Sequence, residues 1–178
     1  MWRKGRKPID DQERVIKDRD KARERTMNRA VKLLAAKPRS VTELRERLLE
    51  KSWTDSEIVT RVIEKLKEYK YLDDAQFARD AALSKLRQRP QGKRALQYAM
   101  SRKKIDRETI EAAVKDAFEK MPEQKLIDTA IEKRLRLKGV PETREDKKKF
   151  FDYLLRLGFE YDLIRDKMSS LSKDLVDD

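Results

Sequence analysis

Neither cysteine nor histidine occurs among the 178 residues. The first absence excludes disulfides, thiolate nucleophiles and cysteine-rich zinc or iron–sulfur sites. The second removes the side chain best suited to proton transfer near neutral pH, and with it the usual serine and cysteine triads. Acidic Mg²⁺ sites alone survive this cut. Glycine and proline are scarce, at 4 and 5 residues, which leaves long stretches free of helix breakers. No apolar run approaches the roughly 18 residues of a membrane span, and the opening "MWRKGRKPIDDQ" has no apolar signal-peptide core. A cytoplasmic protein with no membrane partner, no metal and no cofactor is expected.

What fills the chain is charge, 45% of all residues. Leu, Ala, Glu, Lys and Arg dominate, a composition that points to an all-α fold. Lys plus Arg against Asp plus Glu gives 10 to 6 over residues 1–25, 11 to 7 over 26–72, 12 to 8 over 73–121 and 13 to 13 over 122–178. The whole excess of +12 therefore lies in the first two thirds. Such a field suits a polyanion or an acidic protein surface, or it serves only to solubilise helix faces.

The apolar positions repeat. Set in register, "LRERLLEKSWTDSEIVTRV" from Leu44, "LQYAMSRKKIDRETIEAAV" from Leu96 and "FFDYLLRLGFEYDLIRDKM" from Phe150 align without a gap, at offsets of 52 and 54 residues. Leu44, Leu96 and Phe150 coincide, then Leu48, Met100 and Leu154, then Trp53, Ile105 and Phe159, then Ile58, Ile110 and Ile164, then Val62, Val114 and Met168. Each third helix begins with the same signal. In "WTDSEI" Thr54 is the expected N-cap with Glu57 at N3, and Trp53 and Ile58 the hydrophobic staple. Asp106 is the expected cap in "IDRETI", and Glu160 a poorer one in "FEYDLI".

The same grammar answers what the adjacent carboxylates Asp73–Asp74 do. In "YLDDAQF" Asp73 is an N-cap with Gln76 at N3, and Asp74 at N1 complements the helix dipole. The pair reads as a helix start, not as the heart of a Mg²⁺-dependent nuclease. Asp10–Asp11 and Asp177–Asp178 read as helix-start and tail charges.

The expected architecture is three tandem three-helix repeats forming an elongated, curved molecule. Repeat 1 covers residues 26–72, with helices over 24–37, 41–51 and 55–69. Repeat 2 covers 73–121, with helices over 74–88, 92–103 and 107–120. Repeat 3 covers 122–178, with helices over 123–138, 145–157 and 161–172. A unit near 50 residues buries only about 60% of its unfolded surface, so neighbours must stack. Residues 1–25 form a charged extension, read as frayed or solvent-facing.

Between Asp80 and Asp106 there is no acidic residue, while Lys85, Arg87, Arg89, Lys93, Arg94, Arg102, Lys103 and Lys104 are all present. At 100° per residue Arg94, Tyr98 and Arg102 share one helix stripe. An aromatic ring between guanidinium groups suits phosphate contact with base stacking; a solvated face with an amphipathic Tyr fits the pattern equally. A second set, Lys133, Arg134, Arg136 and Lys147, Lys148 and Lys149, is mixed with Glu132, Glu142, Glu145 and Asp146. It suits recognition of a partner protein, or an ordinary wet surface.

With "YLDDAQFA", the basic "RPQGKRALQYAMSRKKIDRETI" and the terminal "FDYLLRLGFEYDLI" in this order, residues 26–172 resemble the RecX family of bacterial recombination regulators. The resemblance implies three tandem three-helix repeats, binding to RecA nucleoprotein filaments with restraint of RecA ATPase and strand exchange, accessory binding of single- or double-stranded DNA, and a place in DNA repair and the SOS response. It implies no enzymatic activity, and it transfers no catalytic residue. The chain departs from the family pattern in "SRKKID", which lacks the glycine common in that loop, and in its long charged N-terminal extension. A monomer is expected. The competing expectation is a stand-alone tandem-helical nucleic-acid-binding protein with no RecA involvement.

Overall fold

The computed structural model describes residues 10–11 and 14–174, with side chains as far as residue 171. The opening run 1–9 and Asp177–Asp178 lie outside the described residues. Nine helices are present among those described: α1 Arg19–Ala36, α2 Val41–Leu49, α3 Ser56–Glu68, α4 Asp74–Gln88, α5 Lys93–Ser101, α6 Arg107–Lys120, α7 Glu123–Lys138, α8 Arg144–Arg156 and α9 Tyr161–Asp174. They form three consecutive triplets, and the fold is all-α. Two compact units result. One comprises the described residues up to Phe77 with Lys103–Ile105, the other Ala78–Arg102 with the residues from Asp106 onward.

The repeat register holds at three of the five recurring apolar positions, which leave water in every repeat, while Trp53, Ile105 and Met168 stay half-buried. Leu44, Leu96 and Phe150 are buried, as are Leu48, Met100 and Leu154, and Ile58, Ile110 and Ile164. In the first unit α1 and α2 pack on α3, whose Ile58, Val59, Val62, Ile63 and Leu66 supply most of the core. Small residues Ala22 and Ala30 let α1 approach closely. In the second unit α5 packs on α6 through Leu96, Met100, Ile110, Ala113, Val114 and Ala117, and α8 packs on α9. Phe159, only 1% exposed, is among the largest fully buried side chains.

Capping corrects the reading in one place. The cap of α3 is Asp55, not Thr54: Asp55 Oδ1 accepts from Ile58 N at 2.8 Å. Aspartate caps better than threonine, and the one-residue slip lets Thr54 turn inward, where its hydroxyl is hydrogen bonded to Thr26 Oγ1 of α1 at 2.9 Å. Both threonines are 1% exposed. Trp53 is consequently not the staple residue at N′. It is half-buried, with the Arg25 guanidinium 3.8 Å from its ring centroid.

α6 is capped where the sequence places its cap, and α2 is capped in the same way. Ser40 Oγ accepts from Glu43 N at 3.2 Å and Asp106 Oδ1 from Thr109 N at 2.8 Å. The amide of Thr109 holds the Asp106 carboxyl below its ordinary range. α1 starts five residues earlier than its periodicity indicates, because Asp18 caps it, accepting from Lys21 N at 3.0 Å, and because Ala22 reaches the core. Residues ahead of it are not simply solvent-facing: the Arg14 side chain is 1% exposed.

Two glycines meet in the second unit. Gly92, the N-cap of α5, donates to Leu157 O at 2.9 Å. A Cβ on Gly92 would lie 2.2 Å from Gly158 O, so the two backbones touch where any side chain would intrude. Gly158 itself has φ +84°, a left-handed conformation that glycine adopts freely. At the equivalent turn of repeat 2 Lys104 takes φ +57°.

Candidate nucleic-acid and partner interface

The Asp73–Asp74 carboxylates are both spent on backbone amides. Asp73 Oδ1 caps its own helix, accepting from Gln76 N at 2.9 Å. Asp74 Oδ1 reaches across to Val41 N, the first amide of α2, at 2.8 Å. The device recurs one repeat later: Glu123, the first residue of α7, accepts from Lys93 N, the first amide of α5, at 3.0 Å. Burial pushes the Glu123 carboxyl above its ordinary range, against the opposing pull of the Lys93 amide. Among the described residues no group of three or more carboxylates is arranged to hold a metal ion.

This accounts for the pair in structural terms and fixes how substitutions must behave. Asp73→Ala and Asp74→Ala should each cost about 1 kcal/mol as lost caps, while Asp73→Asn should keep most of that stability because asparagine caps comparably. Chemical denaturation of the three variants checks it. Asp73→Asn falling as far as Asp73→Ala would reopen a role for the negative charge.

Seven of the nine residues expected at DNA lie in the second unit. Lys85 and Arg87 close α4, Arg89 follows it, Lys93, Arg94 and Tyr98 lie on α5, and Arg102 caps the end of α5. All seven are exposed, Tyr98 by 71%. Helix packing explains this, since Leu86 of α4 and Leu96 and Met100 of α5 take the buried faces and leave the basic ones outside. Among the described residues none of Lys85, Arg87, Arg89, Arg94 and Arg102 enters an ion pair with a carboxylate.

Lys93 is different. It lines an open cleft of about 550 Å³ with Glu111, Lys115, Glu119 and Glu123, so its positive charge sits in a mixed setting with three carboxylates close by. Lys103 and Lys104 belong to the first unit. The Lys103 ammonium lies 5.8 Å from the Phe77 ring centroid while its carbonyl accepts from Ser40 Oγ at 2.9 Å, and Lys104 is paired with Glu46.

The second expected set is also divided. Lys133, Arg136, Lys147 and Lys148 are exposed. Arg134 lies over its own Tyr153, 4.8 Å from the ring centroid, and Lys149 pairs with Glu145 at 2.8 Å, so both are partly engaged within the chain. Near this set Leu137 and Val140 stand 68% and 43% exposed at the end of α7 and in the turn after it, giving the basic surface an apolar component.

Sequence reasoning passed over the turn between α3 and α4. There Tyr69 and Tyr71 are 59% and 71% exposed, flanking Lys70, which closes α3 in a left-handed conformation at φ +60°. The closure is hydrogen bonded, with Tyr71 N donating to Leu66 O at 2.9 Å and Lys70 N to Lys67 O at 3.0 Å. The alternation of basic and aromatic residues in "KEYKY" was the available signal.

Helix triplets in tandem, carrying exposed cations, define an all-α helical-repeat protein. The chain belongs to the RecX family. It matches the first three-helix domain of RecX over residues 27–66, the second over 73–114 and the third over 122–168. Regulatory protein RecX of Prosthecochloris aestuarii is 30% identical over 147 residues, covering 83% of this chain and 93% of its own. That of Chlorobium limicola is 30% identical over 142 residues, covering 80% and 86%. The crystal structure of RecX from Lactobacillus salivarius superposes with a TM-score of 0.75 at 21% identity, over 86% of this chain and 98% of that one, and shares the fold. These relatives are named regulatory proteins, and the role of this chain is a RecX regulatory one. Among the described residues no helix is long and apolar enough to cross a membrane.

Proposed function

We propose that this chain regulates homologous recombination and DNA repair by binding RecA nucleoprotein filaments and lowering RecA ATPase and strand exchange. It acts without catalysis of its own, as a cytoplasmic monomer. DNA phosphate is held by Lys85, Arg87, Arg89, Arg94 and Arg102, with Tyr98 available to stack on a base. The protein partner meets the mixed surface of repeat 3, where Lys133, Arg136, Lys147 and Lys148 surround exposed Leu137 and Val140.

Membership of the RecX family through all three of its three-helix domains carries this reading. The cations without carboxylate partners favour a second one, a stand-alone nucleic-acid-binding protein. The two are separated by RecA itself. ATP hydrolysis by RecA on single-stranded DNA, measured with and without this chain, should fall in its presence; an unchanged rate, with DNA binding intact, would leave only the second reading.

A further inference from the structure

The three repeats share a backbone carbonyl that always receives a donor. At the offsets of 52 and 54 that align the repeats, Lys51 corresponds to Lys103 and Leu157, each in the turn between the second and third helix of its triplet. Lys103 O accepts from Ser40 Oγ at 2.9 Å, and Leu157 O from Gly92 N at 2.9 Å. Ser40 and Gly92 are themselves equivalent, each the N-cap of the middle helix in the preceding repeat. Among the described residues no triplet precedes repeat 1. Its carbonyl at Lys51 accepts instead from Arg14 Nη1 at 2.6 Å.

Arg14 does more than fill that one position. Its Nη1 also donates to Thr54 O, and its Nη2 to Leu49 O at 2.8 Å, so three carbonyls of the α2–α3 turn converge on one guanidinium. Its Nε lies 2.8 Å from Asp11 Oδ1 as an ion pair without hydrogen-bond alignment, and Asp11 Oδ2 in turn accepts from Ser56 N, the first amide of α3, at 3.1 Å. The Arg14 side chain is 1% exposed. The two terminal nitrogens of a planar fork can serve three carbonyls at fixed angles while the delocalised charge pairs with a carboxylate, a geometry that a single ammonium does not match.

We propose that the α2–α3 turn is a guanidinium-binding socket, and that Arg14 with Asp11 occupies it as an end cap standing in for a preceding repeat. Terminal units of a helical array need such caps, because the surface that would stack on a neighbour is otherwise left with unsatisfied backbone groups. The charged N-terminal segment thereby has a structural task that is independent of the filament reading above.

The test uses the full chain with Arg14→Ala and Arg14→Lys, read by thermal melting and by amide hydrogen exchange. Arg14→Ala should melt about 5–10 °C lower. Exchange at Ser56 and the α2–α3 turn should quicken roughly tenfold or more while the α5–α6 turn is unaffected. Methylguanidinium at about 20 mM should raise the melting temperature of Arg14→Ala, and sodium chloride at the same ionic strength should not. Arg14→Lys should recover less than half of the loss; it also keeps the question open to measurement if the alanine variant does not fold. Unchanged exchange at the α2–α3 turn, or recovery by sodium chloride equal to that by methylguanidinium, would overturn the proposal.

Discussion

Gly92→Ala should destabilise the protein by about 3 kcal/mol or more, lowering its melting temperature by roughly 6–12 °C. The added methyl would lie 2.2 Å from Gly158 O, 2.3 Å from Gly158 C and 2.4 Å from Phe159 N. All three are backbone atoms, so no side chain can swing aside to make room. Relief requires separating the α5 N-terminus from the α8–α9 turn, which breaks the Gly92 N to Leu157 O bond and disturbs Phe159 in the core. Gly139→Ala is the matched control. Its φ of +74° with ψ −178° lies in a region essentially reserved for glycine, but a Cβ there meets nothing within 4 Å, so a conformational cost of about 1–3 kcal/mol with no clash is expected. Thermal melting of the two variants side by side checks the difference. Equal losses would mean that the close approach is not tight.

Replacing Arg87, Arg89, Arg94 and Arg102 together by glutamine should weaken binding to single-stranded DNA on the order of a hundred- to a thousandfold near 0.1 M salt, and reduce the salt slope by about 3. Each side chain is exposed and, among the described residues, without a carboxylate partner, so the fold should survive the change. Tyr98→Ala should lower affinity by about 1–3 kcal/mol with the slope unchanged, since stacking releases no counterions. Lys104→Gln should have little effect, because Lys104 is already paired with Glu46. Fluorescence anisotropy across a salt series reads all three. A quadruple variant with the slope of the unaltered chain would remove the phosphate assignment.

The repeat was legible because burial acts on positions: Leu44, Leu96 and Phe150 recur in the sequence and leave solvent together in the structure. Local capping was legible where one candidate stood alone, at Asp73 and Asp106. It failed at α3, where Thr54 and Asp55 are both competent and the choice rests on a tertiary bond to Thr26, 28 positions away. Contacts over such distances leave no local pattern. Nothing around Asp74 announces that it caps α2, and Arg14 is one cation among 46. Nothing local to Gly92 shows that its constraint is a second glycine 66 positions on in the same unit. The basic run 85–104 looked continuous because a sequence shows charge without burial or pairing. The fold assigns Lys103 and Lys104 to the other unit and sets Lys93 close to three carboxylates.

The filament reading stands or falls on how inhibition responds to salt. A ligand of the assembled filament acts at low stoichiometry and keeps its effect where electrostatic binding to bare DNA has faded, whereas a competitor for DNA must cover the lattice and fades with it. ATP hydrolysis by RecA filaments preassembled on single-stranded DNA should therefore be followed through a salt titration, alongside binding of this chain to the same DNA without RecA. The expected result is slowed hydrolysis at well below one molecule per RecA protomer, persisting at salt concentrations where binding to naked DNA is lost. Inhibition that disappears in step with naked-DNA binding, or that requires saturation of the lattice, would contradict it.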